Sequence, residues 1–195
     1  MTVAGSPLFN PQCKRGSWKV LFCGRLQFMR VLGIDCGTEY TGFGVVELCP
    51  DSRLLCLTCG AIKLSTRNSM AARLATVFDR LGALIQQYQP EQVAIEDVFY
   101  ALNAKSALKL GQVRGVAMLA AASAGLMVAE YAPLSIKSAV VGYGKAEKVQ
   151  VQHMVTRLLN LDSTPEPPDA ADALAIAICH LHTFATLERQ RPVAQ

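Results

Sequence analysis

Three short strand-like runs, 30–36, 41–49 and 53–63, follow one another with only Gly- and Asp-containing turns between them, and this spacing constrains the fold most. Connections that short join antiparallel neighbours, since a parallel pair needs a crossover of a dozen or more residues. The chain therefore opens on an antiparallel meander. The pattern then changes period. Residues 68–88 place Met70, Leu74, Val77, Phe78, Leu81, Leu84 and Ile85 on one helical face and stop at Pro90. A short buried strand is expected over 92–96 and a long Ala-rich helix over 103–124. Another strand over 126–131 and helices over 135–141, 147–159 and 169–186 complete the reading. Three strands followed by alternating helices and strands predict an α/β domain: a mixed sheet, three antiparallel strands then parallel ones, with helices on both faces.

A chain of 195 residues, 51% hydrophobic, is long enough for one substantial core and too short for two large domains. Composition changes once, near Met29. Residues 1–28 hold no acid and show no periodicity, and they read as an appendage or a misplaced translation start. The domain is expected over 29–186, followed by a tail, 187–195. Only 17% of residues are charged, and the net +4 comes from 19 Lys and Arg against 15 Asp and Glu, a balance that fits nucleic acid without demanding it.

Seven cysteines with no regular spacing suit a reducing cytoplasm better than an exported disulfide framework. Cys56 and Cys59 form a C-x-x-C, but residues three apart on a strand point to opposite faces, which argues against a shared zinc. No run approaches the roughly 20 apolar residues that cross a bilayer. The apolar patch 18–29 is broken by Lys19 and Arg25 and lacks a cleavage site, so neither a signal peptide nor a membrane partner is expected.

Chemistry is expected where acids interrupt apolar runs. In Val31-Leu32-Gly33-Ile34-Asp35 a carboxylate ends a core strand, and Val93-Ala94-Ile95-Glu96 repeats the pattern. After Pro167-Pro168, Asp169 and Asp172 stand three apart in the first turn of an apolar helix and so share a face. Singly, a helix-start acid is often a cap or dipole partner worth about 0.3–2 kcal/mol, and a strand-end acid often faces water. Together, Asp35, Glu96, Asp169 and Asp172 offer the oxygen-rich set that Mg²⁺ prefers. Two such ions, about 3.5–4 Å apart, activate water and stabilise the leaving oxygen of a phosphodiester.

These residues carry a resemblance. Gly33-Ile34-Asp35-Cys36-Gly37 with Thr41-Gly42-Phe43-Gly44-Val45, Ala94-Ile95-Glu96-Asp97-Val98-Phe99, and the segments 103–115, 142–154 and 169–177 resemble the RuvC family of bacterial Holliday-junction resolvases, from about residue 30 to 183. The resemblance implies a ribonuclease H-like fold, a homodimer, and paired nicking of a four-way DNA junction with a divalent metal, Mg²⁺ or, in its place, Mn²⁺. It also implies a junction-migrating helicase as partner, and it matches Asp35, Glu96, Asp169 and Asp172 to the catalytic, metal-binding acids.

Charge points to the DNA contacts. Between Asp97 and Arg157 the basic residues Lys105, Lys109, Arg114, Lys137, Lys145, Lys148 and Arg157 face only the acids Asp97, Glu130 and Glu147, a stretch able to neutralise phosphates. We expect DNA contacts at Lys105, Lys109, Arg114, Lys137 and Lys148, the last pair matching basic residues of the family. Phe99 matches a loop aromatic that can stack on an unpaired base. Leu102 departs from the family, which often has a basic residue there. Gly111 and Gly115, four apart on the Ala-rich helix, allow another backbone close, in a dimer or against the sheet.

Two other functions fit parts of the sequence. A ribonuclease H-like nuclease acting on structured RNA would use the same acids. Gly33-Ile34-Asp35-Cys36-Gly37-Thr38 also resembles the phosphate loop of actin-like ATPases, but those enclose nucleotide between two subdomains and this chain has material for one.

Overall fold

The structure is a computed structural model that describes residues 28–97 and 104–190, with side chains to 186. Phe99 and nearly all of the 1–28 segment lie outside the described residues. The meander is present: β1 (Met29–Asp35), β2 (Tyr40–Leu48) and β3 (Leu54–Lys63) pair antiparallel in sequence order. After α1 (Met70–Tyr88), β4 (Gln92–Glu96) inserts beside β1 in parallel, and after α2 (Ala104–Ser123), β5 (Met127–Tyr131) adds parallel to β4. The strand order is β3-β2-β1-β4-β5. Three helices close the domain: α3 (Pro133–Val141), α4 (Lys148–Leu158) and α5 (Pro168–Gln190).

Strand alternation builds two cores. Leu32, Ile34, Val45, Val93 and Ile95 face α1 and α2, meeting Val77, Leu81, Val113 and Ala117. Val31, Val46 and Ala94 face the other way, toward Ile136 of α3, Val151 and Val155 of α4, and most of α5. Helix α1 buries only the stripe Val77, Leu81 and Ile85. Helix α5 is different. Residues 173–181, apolar except for His180, are all buried, because the helix lies between the sheet on one side and α3 and α4 on the other, as a stretch apolar nearly all round must. Each fully buried Leu, Ile or Val contributes about 1.5–3 kcal/mol.

Two expectations need correction. Cys56 and Cys59 do not point to opposite faces. Val45 pairs with Thr58 but Val46 with Cys56, so Leu57 is an extra, bulged residue on β3. The bulge resets the alternation, and both thiols pack against the α5-side core. The helix expected to end at 186 continues to Gln190, since no breaker intervenes before Pro192.

Candidate active site

The register of β1 and β4 brings the first two acids together. Ile34 is level with Ile95 in a parallel pair, so one residue further the chain ends place Asp35 beside Glu96. Both fall on the face of Val31 and Ala94, which is the face α5 covers. The alternation that buries Val31 therefore also aims Asp35 at α5. A slip of one residue would point both carboxylates at α1 and α2 instead.

Glycines let α5 come close enough to add the other two. A Cβ on Gly42, which pairs with Asp35 across β1 and β2, would stand 2.1 Å from the Asp169 carbonyl oxygen. One on Gly33 would stand 2.1 Å from the Ala173 carbonyl. Helix backbone thus rests directly on strand backbone, which only glycine permits. The first turn of α5, with Asp169 and Asp172, is held at the open ends of β1 and β4. The turn between β1 and β2 is pinned as well: the buried Thr41 hydroxyl donates to the Gly37 carbonyl at 3.1 Å, and Arg73 Nη1 of α1 donates to the Thr38 carbonyl at 2.9 Å.

Electrostatics report the crowding. Asp35 is pushed up to about 7, by burial first and then by Asp172, Glu96 and Asp169, with Lys148 pulling the other way. Glu96 is raised by burial and by Asp172, against Lys137 and Lys148. Lys148 Nζ donates to Asp172 Oδ2 at 2.6 Å. Burial lowers its affinity for the proton, but the hydrogen bond and the charges of Asp172, Asp35 and Asp169 outweigh that and raise it. Among the described residues, no three acidic, His or Cys side chains are drawn tightly enough to clasp an ion as they stand. Lys148, bonded to Asp172, is the cation beside them. The donor set nonetheless fits a hard divalent cation: it is all carboxylate, partly buried, and short of positive charge.

The other expected residues divide. Lys137 and Lys148 flank the acids. Lys105 and Lys109 are exposed on α2. Arg114 is committed within the protein, paired with Glu130 and with Asp97 at 3.6 Å while its Nε reaches the Glu96 carbonyl at 3.4 Å. With 19% of its side chain exposed, it braces the end of β4 rather than standing free for phosphate. Sequence reasoning missed Arg73, although a basic residue between Met70 and Leu74 on an apolar helix stripe is itself a signal of a buried partner.

The family model described as crossover junction endodeoxyribonuclease RuvC matches residues 31–180. The chain belongs to the RuvC family. Among RuvC relatives, that of Koribacter versatilis is 66% identical over 85% of this chain and 100% of its own, and that of Acidobacterium capsulatum 56% identical over 84% and 99%. The RuvC structure from Thermus thermophilus superposes with a TM-score of 0.75 at 33% identity, covering 85% of this chain and all of that one. The same protein solved in complex with a Holliday junction substrate gives 0.75 at 31%, with the same coverage. A yeast mitochondrial Holliday junction resolvase, 18% identical with a TM-score of 0.64, shares the fold. The mixed five-strand sheet is thus the ribonuclease H-like fold of RuvC. The RuvC match spans all four acids and begins within β1.

Proposed function

We propose that this chain resolves four-way DNA junctions by metal-dependent hydrolysis of two opposed phosphodiesters. The observation that carries the reading is the meeting of Asp35, Glu96, Asp169 and Asp172 at one end of the sheet, where burial first, and then the three neighbouring carboxylates, raise the proton affinity of Asp35. Membership of a junction endonuclease family supports the substrate. Asp35, Glu96, Asp169 and Asp172 would hold the cations, and we assign two Mg²⁺, replaceable by Mn²⁺, because hard oxygen donors select them. When bound, such a pair supplies charge neutralisation and Lewis-acid activation at the phosphodiester.

The chain's own residues do the rest. Lys137 and Lys148 neutralise phosphates beside the acids, offsetting the repulsion between the cluster and DNA. Lys105 and Lys109 extend that surface along α2, and we place Phe99 at the junction opening. The pinned β1–β2 turn and the glycine contacts under α5 hold the carboxylates in place with little reorganisation.

One chain carries one acidic cluster, so two opposed nicks require two copies. Helix α2 leaves Leu108 and Leu119 exposed, and a Cβ added at Gly111 or Gly115 would meet nothing within 4 Å among the described residues beyond the helix's own backbone. We assign that face to the homodimer. Among the described residues no helix is long and apolar enough to cross a membrane. Cys36, Cys56, Cys59 and Cys179 stand outside any disulfide, which suits the reducing cytoplasm where we place the protein.

The test is incubation with Mg²⁺ and a synthetic four-way junction beside linear duplex, single-stranded DNA and structured RNA. Paired nicks confined to the junction are expected. Cleavage of the RNA in preference to the junction would replace this reading with the ribonuclease one.

A further inference from the structure

The basic residues assigned so far lie on α2, α3 and α4, leaving the β3 side of the acids without a DNA contact. A hollow of about 150 Å³ opens there, lined by Glu39, Tyr40, Lys63, Leu64, Ser65, Thr66 and Arg67. It is formed where the start of β2 meets the end of β3: Tyr40 pairs with Lys63, and the Leu64 amide donates to the Glu39 carbonyl at 2.7 Å. Next to the hollow, Arg73 holds the carbonyl of Thr38, the residue before Glu39, and the Arg67 amide donates to Ser65 Oγ at 3.3 Å. Lys63 and Arg67 are exposed. Among the described residues neither forms an ion pair, whereas Arg30, Arg53, Arg114 and Lys148 each do.

Its position is set by the sheet register. Asp35 pairs with Gly42, and Gly42 with Ala61. Two strand spacings put Ala61 about 10 Å from Asp35, and Lys63 lies two residues further along β3, so the hollow stands roughly 12 Å from the reactive carboxylate. At about 3.4 Å of helix rise per phosphate on one strand, that is three or four nucleotides. Lysine, arginine, serine and threonine make up most of its lining, with Glu39 as its one acid against Lys63 and Arg67. Such a rim suits a singly charged phosphodiester better than an apolar ligand.

We propose that Lys63 and Arg67 bind backbone phosphates of the DNA arm that runs from the cut across the end of β3, on the opposite side of the acids from Lys137 and Lys148. A strand crossing the site is then gripped on both sides of the scissile phosphate. Tyr40, exposed in the wall of the hollow, is available to the same DNA. This assignment rests on the junction-nuclease reading and extends it to a surface outside the 97–157 stretch.

The experiment is a gel-shift titration of a labelled four-way junction in chelator over a range of salt, comparing wild type with Lys63→Gln/Arg67→Gln. Each lost phosphate contact removes about 0.9 from the slope of log affinity against log salt. The double variant should therefore lose between one and two from the slope and bind at least fivefold more weakly at low salt, with its thermal midpoint unchanged. Lys63→Arg/Arg67→Lys should keep the wild-type slope, as should Arg80→Gln, which removes an exposed charge from α1. An unchanged slope in the double variant, with wild type binding and cutting the junction normally, overturns the hollow alone. A wild type that neither binds nor cuts the junction overturns the functional reading, and the hollow with it.

Discussion

Lys148 and Asp172 are joined by a 2.6 Å hydrogen bond that ties the start of α4 to the first turn of α5. The ammonium group lowers the proton affinity of Asp35 and Glu96, so it keeps the cluster ready to receive a metal as well as touching DNA. Removing it by Lys148→Gln should move the acidic limb of the cleavage profile to higher pH, since the acids then hold their protons longer. Single-turnover rates at saturating enzyme, from pH 5.5 to about 9, would reveal the shift. A slower rate with an unmoved limb would mean that Lys148 acts on DNA only.

Asp35→Asn should abolish cutting while preserving or tightening junction binding in chelator. Asparagine keeps the shape but not the charge that holds Mg²⁺, and binding relies on basic residues the change does not touch. Tenfold weaker binding by a folded variant would give Asp35 a structural role instead.

The same substitution makes a stability prediction with a definite sign. The carboxyl is raised to about 7 in the folded protein against about 3.9 unfolded, so the folded state binds the proton more tightly. Its contribution is favourable at low pH and is lost as pH rises from about 4 to about 7. Asparagine does not titrate. Without metal, the variant should gain about 2–4 kcal/mol over wild type at pH 8 and little at pH 4. Mg²⁺ should raise the thermal midpoint of wild type more than that of the variant. A gap between the two proteins that stays constant from pH 4 to 8 would rule this out.

Gly42→Ala tests the close approach of α5. The added Cβ would fall 2.1 Å from the Asp169 carbonyl oxygen, backbone that cannot swing aside. Overpacking of this kind costs about 1–3 kcal/mol, and the first turn of α5 must shift to relieve it. Cleavage should fall at least tenfold at a temperature where denaturation curves show the variant fully folded. Wild-type activity would mean that the acids tolerate a displaced helix end.

Deleting residues 1–28 should leave folding and junction cleavage essentially intact. Strand β1 begins at Met29, which is itself buried, and all four acids lie beyond it. A lowered midpoint or lost activity in the truncated protein would assign the segment a part in the domain.

Much of this protein is legible in the sequence because its signals are local. Periods of two and 3.6, Gly and Asp in the turns, and an acid closing each apolar run predict the ten elements and pick out Asp35, Glu96, Asp169 and Asp172 before any contact is known. Element ends were less so, as α5 shows by running to Gln190. The bulge at Leu57 is invisible in the same way: one unpaired residue depends on what lies opposite it on β2, not on β3 itself.

What only the tertiary structure decided is how separate segments meet. No local pattern says that β4 enters beside β1 with Ile95 level with Ile34, that Gly42 lies under Asp169, or that Arg114 spends its charge on Asp97 and Glu130. Nor does it reveal that Lys63 and Arg67 share a hollow with Tyr40 on the rim of the acidic end. Side-chain type and spacing are properties of the chain and survive in any conformation. Register, close backbone approach and the partner chosen by a charge are differences between whole packed arrangements, settled by which one buries the two cores with its polar groups satisfied.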